Sequence, residues 1–185
     1  MPYKKYIMAN TTKWLIDPAH SELMFKVRHL KIANVKGEFR KFSAEILSSG
    51  DDFNQAVVTA QVEAASIFTN DNNRDTHLKS ADFFDAEKYP TLSFKGTSFS
   101  KTGDDEFTLT GNLTMKEITK PLSLQVAFGG VENDLYGNHK AGFSFEGKLN
   151  RKEWALNWNA ALETGGVLVS DEVKLSGELQ FIKQA

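Results

Sequence analysis

The residues able to do chemistry are few and scattered. The four histidines, His20, His29, His77 and His139, form no i, i+2 or i, i+4 pair and no HExxH run. Compact metal-ligand spacing is therefore absent, and no metal or cofactor is expected. Zero cysteines removes disulfides, thiol catalysis and thiolate metal sites together. Asp17-Pro-Ala-His20 sets an acid near an imidazole, but without a nucleophile elbow it reads as a turn capping the first strand. Arg74-Asp75-x-His77 is the densest ionisable group. Three readings of it stay open: an ion pair that fixes a helix, headgroup recognition, or acid–base catalysis. His29 shares parity with Phe25 and Val27, which puts it near a strand end, either simply hydrogen-bonded at a rim or touching a ligand's polar head. Gly129-Gly130 and Gly165-Gly166 lack phosphate-loop context and read as turns.

The elements that must position these residues are strands. Period-two alternation runs through Leu23–Val27, Val35–Phe39, Val58–Ala64, Leu92–Phe94, Phe107–Met115, Leu122–Phe128, Ala141–Leu149 and Val173–Phe181. Parity slips at Arg40-Lys41, where Phe42, Ala44 and Ile46 take over, so a bulge is expected there. Pro121 is read as the start of its strand. Ser49-Gly-Asp-Asp, Thr102-Gly-Asp-Asp and the stretch from Gly129 through Asn138 supply turns. Trp14-Leu-Ile16 reads as a short lead-in strand or plug. Only the segment from Asn70 to Pro90 suits one or two short helices, and Pro90 stops it. A second irregular stretch, from Arg151 to Ser170, carries Trp154 and Trp158 and reads as a structured element. Eight antiparallel strands with one helical excursion give an up-and-down barrel or a strongly curled sandwich.

Five strands carry a glycine where alternation calls for an inward apolar side chain: Gly37, Gly96, Gly111, Gly147 and Gly177. Glycine inside a strand weakens it. Repeated on one face, it suggests an apolar interior that is not completely filled. The competing reading is that these glycines only let a curved sheet bend.

One domain is the default for 185 residues, and 41% hydrophobic content is enough for a real core. The formal net charge of −2 comes from 22 basic and 24 acidic residues mixed along the chain, with no basic run, so nucleic acid is not an expected partner. No stretch approaches the ~20 apolar residues of a membrane span. The N-terminus lacks the apolar run of a secretory signal. The expected location is therefore cytoplasmic, or periplasmic if a leader was removed, and translation from Met8 is an alternative start.

Trp14-Leu-Ile-Asp-Pro-Ala-His-Ser21, followed by Phe25 and Arg28-His29, resembles the YceI-like family of polyisoprenoid-binding, lipocalin-like proteins. So do the Arg74-Asp75-x-His77-Leu-Lys-Ser-x-Asp82-Phe83-Phe84-Asp85 block, Tyr89-Pro90, Thr119-Lys-Pro121, Leu149-Asn-Arg151-Lys-Glu-Trp154 and Asp171-Glu-Val173. The likeness covers residues 13–183, with 1–12 as an N-terminal extension. Glu117 and Ala155 depart from it, standing where the family commonly has glycine.

The resemblance implies an all-β fold, an extended eight-stranded antiparallel up-and-down (lipocalin-like) barrel with a short helical insertion near residues 72–88. It also implies a long-chain amphiphile as the hydrophobic small-molecule ligand (polyisoprenoid, quinone or fatty-acyl type), and a homodimer as the common assembly. It supplies no catalytic residues. Parity places Phe25, Val27, Phe39, Phe94, Leu109, Leu113, Leu124, Val126, Phe143 and Phe145 on the wall that meets the tail. Arg74, Asp75 and His77 are the headgroup or lid candidates, joined by His29, with Phe83, Phe84 and Trp154 as apolar gates. The rival expectations are an enzyme working on a bound isoprenoid or quinone through Arg74, Asp75 and His77, and a ligand-free structural or stress-response protein filled by its own Phe rings.

Overall fold

Alternation of apolar and polar residues turns most of the chain into antiparallel strands, and a computed structural model describes residues 10–185. In chain order the strands are β1 (Thr11–Ile16), β2 (Glu22–His29), β3 (Ala33–Phe39), β4 (Phe42–Ser49), β5 (Asp52–Glu63) and β6 (Ile67–Phe68). After the helix α1 (Asn72–Lys79) come β7 (Thr91–Gly103), β8 (Glu106–Met115), β9 (Ile118–Asn133), β10 (His139–Asn150) and β11 (Val169–Lys183).

Eight strands close a ring in the order β1-β4-β5-β7-β8-β9-β10-β11, and β11 returns to β1. β1 and β2 follow one another along the same edge of β11, which pairs first with β2 at Val169–Glu178 and then with β1 at Phe181–Lys183. β3 and β4 run beside them in the same way, β3 on β2 and β4 on β1. Each couple behaves as one long strand with a kink, so the ring is an up-and-down meander. Closure leaves no long unpaired edge in the ring.

The parity slip at Arg40-Lys41 is a true interruption. Arg40 N–H donates to Ser66 O at 3.1 Å and Glu63 N–H to Lys41 O at 3.0 Å, which ties the kink to the end of β5. Trp14-Leu-Ile16 is the short first strand expected, but it is a full member of the wall, paired to both β4 and β11. The barrel starts at Thr11, opposite Ser49, two residues before the expected boundary. Residues 1–9 of the expected N-terminal extension, including Met8, lie outside the described residues.

Two turn expectations need correction. β9 starts at Ile118, so Pro121 sits inside it, opposite Asn112. Proline is tolerated there because β9 has no β10 partner beyond Leu124 and one N–H is not needed. Gly129-Gly130 likewise lies within β9, at a register shift against Gly142 and Phe143, and only residues 134–138 turn.

One end of the barrel is sealed by rings. Trp14 stands 5.1 Å from Phe53, Phe53 5.1 Å from Phe143, and Phe99 stacks on Phe107 at 4.6 Å. The buried Trp14 indole donates to Ser48 Oγ at 2.8 Å, which satisfies its polar atom. At the other end a second cluster forms around Phe83, Leu92, Met115, Trp154 and Leu156 beneath α1.

Candidate binding cavity

Between these two clusters lies an apolar cavity of about 560 Å³. The ten residues assigned to the wall by parity all line it: Phe25, Val27, Phe39, Phe94, Leu109, Leu113, Leu124, Val126, Phe143 and Phe145. Period-two alternation is what makes that possible, since β-strand geometry sends every second side chain to one face. Phe99 also lines the cavity but escapes a simple parity count from Leu92 and Phe94. A register shift between Gly96 and Ser98 flips the strand there.

The strand glycines do not leave bare gaps. A Cβ at Gly37 would collide with the Phe25 ring, one at Gly111 with the Phe94 ring, one at Gly177 with the Phe145 ring, and one at Gly147 with Leu124 Cδ2. The expectation that missing side chains are themselves the empty space is therefore corrected. Each of these four glycines is a seat on which a neighbouring side chain lies close to the wall, and the hollow survives because those groups do not stand upright into it. At Gly96 the nearest atom is instead backbone, Val58 O at 2.9 Å.

The ionisable residues lining the cavity gather at the end covered by α1. They are Arg28 and His29 at the end of β2, Arg74 and His77 on α1, and Arg151 just after β10. No Asp or Glu lines the cavity among the described residues. His29 has no side-chain hydrogen-bond partner among them. His77 Nε2 lies 2.8 Å from Asp82 Oδ2, and its ring meets Trp158 edge-on at 4.7 Å and Phe83 at 5.1 Å. Phe84 also lines the cavity and packs edge-on against Phe39 at 5.8 Å.

Helix α1 is held in place by Thr69, through both acid and base. Asp75 Oδ1 accepts from Thr69 N–H at 2.9 Å and from Thr69 Oγ1 at 2.5 Å. Arg74 Nε donates to Thr69 Oγ1 at 2.8 Å, and its Nη2 to Thr69 O at 2.6 Å. Asp75 is thus buried behind the helix and does not line the cavity. Trp154 is also off the wall: it is fully buried in the end cluster, its Nε1 donating to Leu113 O at 2.9 Å. Neither residue is a gate or headgroup contact, because a buried Asp or indole needs its hydrogen-bond partner inside the protein. Arg74, Asp75 and His77 therefore do not converge as one acid–base unit.

Arg151 is the functional-looking residue that sequence reading passed over. It is 3% exposed, and its guanidinium donates to Ser170 O at 2.9 Å, Trp158 O at 2.8 Å, Val169 O at 3.3 Å and Leu156 O at 2.5 Å. Burial pulls its pKa below the ordinary arginine value, partly offset by Asp171. One side chain thereby shapes the irregular stretch after β10, whose Trp158, Leu168 and Val169 reach the cavity. The sequence signal for it was its place in the Leu149-Asn-Arg151-Lys-Glu-Trp154 block, at the start of a stretch with two tryptophans. His20 pairs with Asp17 at 2.8 Å and His139 with Asp51 at 3.0 Å, and neither lines the cavity. Among the described residues no three His, Cys, Asp or Glu stand together to hold a metal ion.

The model of the YceI-like domain matches residues 14–181. The chain belongs to the YceI-like family. It is 36% identical over 171 residues to a UPF0312 protein of Staphylococcus aureus strain USA300, covering 92% of this chain and 97% of that one. Its fold resembles a solved YceI protein of Campylobacter jejuni, with TM-score 0.72 and 30% identity over 86% of this chain and 91% of that one. A polyisoprenoid binding domain from Saccharophagus degradans shares the fold at TM-score 0.69 and 12% identity, over 92% of this YceI-like chain and 98% of that one.

Proposed function

We propose that this protein sequesters or carries a long-chain amphiphile, with the tail in the barrel and the head beside Arg28, His29, Arg74 and His77. The observation that carries this reading is the asymmetry of the cavity, apolar along its length and ionisable only at one end. Family membership supports it, as does the likeness in fold to the polyisoprenoid binding domain from Saccharophagus degradans.

Size is consistent with such a cargo. An apolar cavity of about 150 Å³ takes benzene, so about 560 Å³ has room for on the order of twenty carbons. At about 0.3 kcal/mol per heavy atom for a ligand of that size, the tail alone supplies roughly 6 kcal/mol, or a Kd of tens of micromolar. Contacts at the head tighten this further.

The test is native mass spectrometry and solvent extraction of protein purified without detergent, together with titration by a prenylquinone and an apolar fluorophore. A co-purifying lipid, or saturable uptake near one equivalent, is expected. A protein that stays empty and excludes both probes is filled by its own rings, and the carrier reading is then wrong.

A further inference from the structure

The cavity mouth is edged by apolar side chains that the fold does not use. The tip of the β2–β3 hairpin holds Leu30 at 39% exposure and Ile32 at 77%, and the neighbouring loop adds Val167 at 46%. Leu30 N–H donates to Leu168 O at 2.9 Å and Lys31 Nζ to Gly165 O at 3.1 Å, so hairpin and loop form one rim. That rim is continuous with the opening, because His29 and Leu168, on either side of it, line the cavity. The tip is built at a conformational cost: Leu30 and Lys31 both take left-handed backbone, at φ 54° and 60°, where turns of this kind favour Asn or Gly.

Below the rim, on the outer face, four lysines stand directly opposite one another across four strands. Lys148 pairs with Lys174, Lys174 with Lys26, and Lys26 with Lys36. Like charges in register are destabilising, so the row lacks a folding rationale. Only Lys148 has an ion-pair partner among the described residues, Glu172 at 3.8 Å. The nearby acids are Glu38, Glu146 and Glu172, and Glu38 is held by Arg40 at 2.7 Å. Arg28 and Lys31 extend the basic surface to the rim. The patch is cationic on a chain whose formal net charge is −2.

We propose that this rim and lysine row form a docking surface for an anionic lipid bilayer. Leu30, Ile32 and Val167 enter the interface while the lysines lie against headgroups, which is how a basic surface with an apolar tip binds such membranes. Lys26 is four residues from Leu30, roughly 13 Å along the strand, a span the flexible lysine side chains shorten further. On the reading of the cavity as an amphiphile site, a docked mouth lets a tail pass between bilayer and barrel without crossing water.

Flotation of the full chain with vesicles tests this. Binding is expected to vesicles of phosphatidylcholine mixed with phosphatidylglycerol, released by salt, and not to phosphatidylcholine alone. Lys26→Glu with Lys174→Glu should lower the bound fraction roughly tenfold or more, and Ile32→Ser by a few fold. Circular dichroism and vesicle-free uptake of an apolar fluorophore should match the parent in both. Undiminished flotation of the lysine variant, or equal binding to neutral vesicles, overturns the proposal. So does lysine-dependent retention on polyglutamate without vesicle binding, which assigns the row to an acidic protein. A parent that floats yet admits no fluorophore keeps the docking surface and removes the carrier reading.

Discussion

The ring of Phe25 lies over the bare backbone of Gly37, its partner directly across the β2–β3 ladder. Phe145 covers Gly177 in the same way across β10–β11. A ring resting on glycine shields backbone from water while staying close to the wall. Upright, the same rings would fill the space that now forms the cavity.

The glycines therefore fall into two classes. The three atoms nearest a Cβ at Gly37 are all Phe25 ring carbons, and the nearest at Gly147 is Leu124 Cδ2 at 2.5 Å. Gly37→Ala and Gly147→Ala should swing those side chains into the lumen, costing about 1–3 kcal/mol and reducing fluorophore uptake. At Gly111 and Gly177 the added carbon also meets backbone, Lys95 O at 2.6 Å and Glu22 O at 2.7 Å. Alanine there should cost more, read as a larger drop in urea midpoint. Equal effects at all four positions would refute the division.

Arg151 should be more important for stability than any exposed charge in the chain. Arg151→Ala leaves its carbonyl partners short of donors and opens a buried space, with an expected loss of about 3–5 kcal/mol. Arg151→Lys should recover little, because an ammonium cannot reproduce the planar fork. Chemical denaturation measures both, and full rescue by lysine would contradict the role given to the guanidinium.

The two family departures are strained turns. Glu117 has φ 63° and Ala155 φ 58°, left-handed values at which a Cβ is unfavourable. Glu117→Gly and Ala155→Gly should each stabilise the fold by about 1 kcal/mol, net of the glycine's greater unfolded-state entropy. Thermal melts should rise by a few degrees (roughly 2–4 °C per kcal/mol at this chain length).

Acid should weaken the tie that runs from Asp17, just after β1, across β11 to Lys140 on β10. The hydrogen bond from Lys140 Nζ to Asp17 Oδ2, at 2.8 Å, holds the Asp17 carboxyl below its ordinary 3.8, with His20 adding to the effect. A depressed folded-state pKa stabilises above the unfolded value and is lost as pH falls through the folded one. Stability measured from pH 6 downward should thus decline below about 3.8, and Asp17→Asn should flatten that part of the curve. An unchanged acid limb in the variant would show that the pair contributes nothing there.

Strand parity was readable along the chain because β geometry is a strict period of two. That alone assigned Phe25, Leu109, Val126 and Phe145 to one surface, and the Arg40-Lys41 slip marked a break. What parity cannot report is a bulge that reverses it, as at Thr97 before Phe99, or a proline excused by an absent neighbour, as at Pro121. The amino-acid order thus determined the antiparallel strands and their shared apolar face, through local rules that need no partner, while closure into a ring rests on the distant pairing of β1 with β11. Whether that face encloses space, which way Asp75 and Trp154 point, and that four lysines distant in sequence stand in one row were decided only by tertiary structure. Those outcomes depend on side chains from different strands competing for the same volume, and no single strand contains that information.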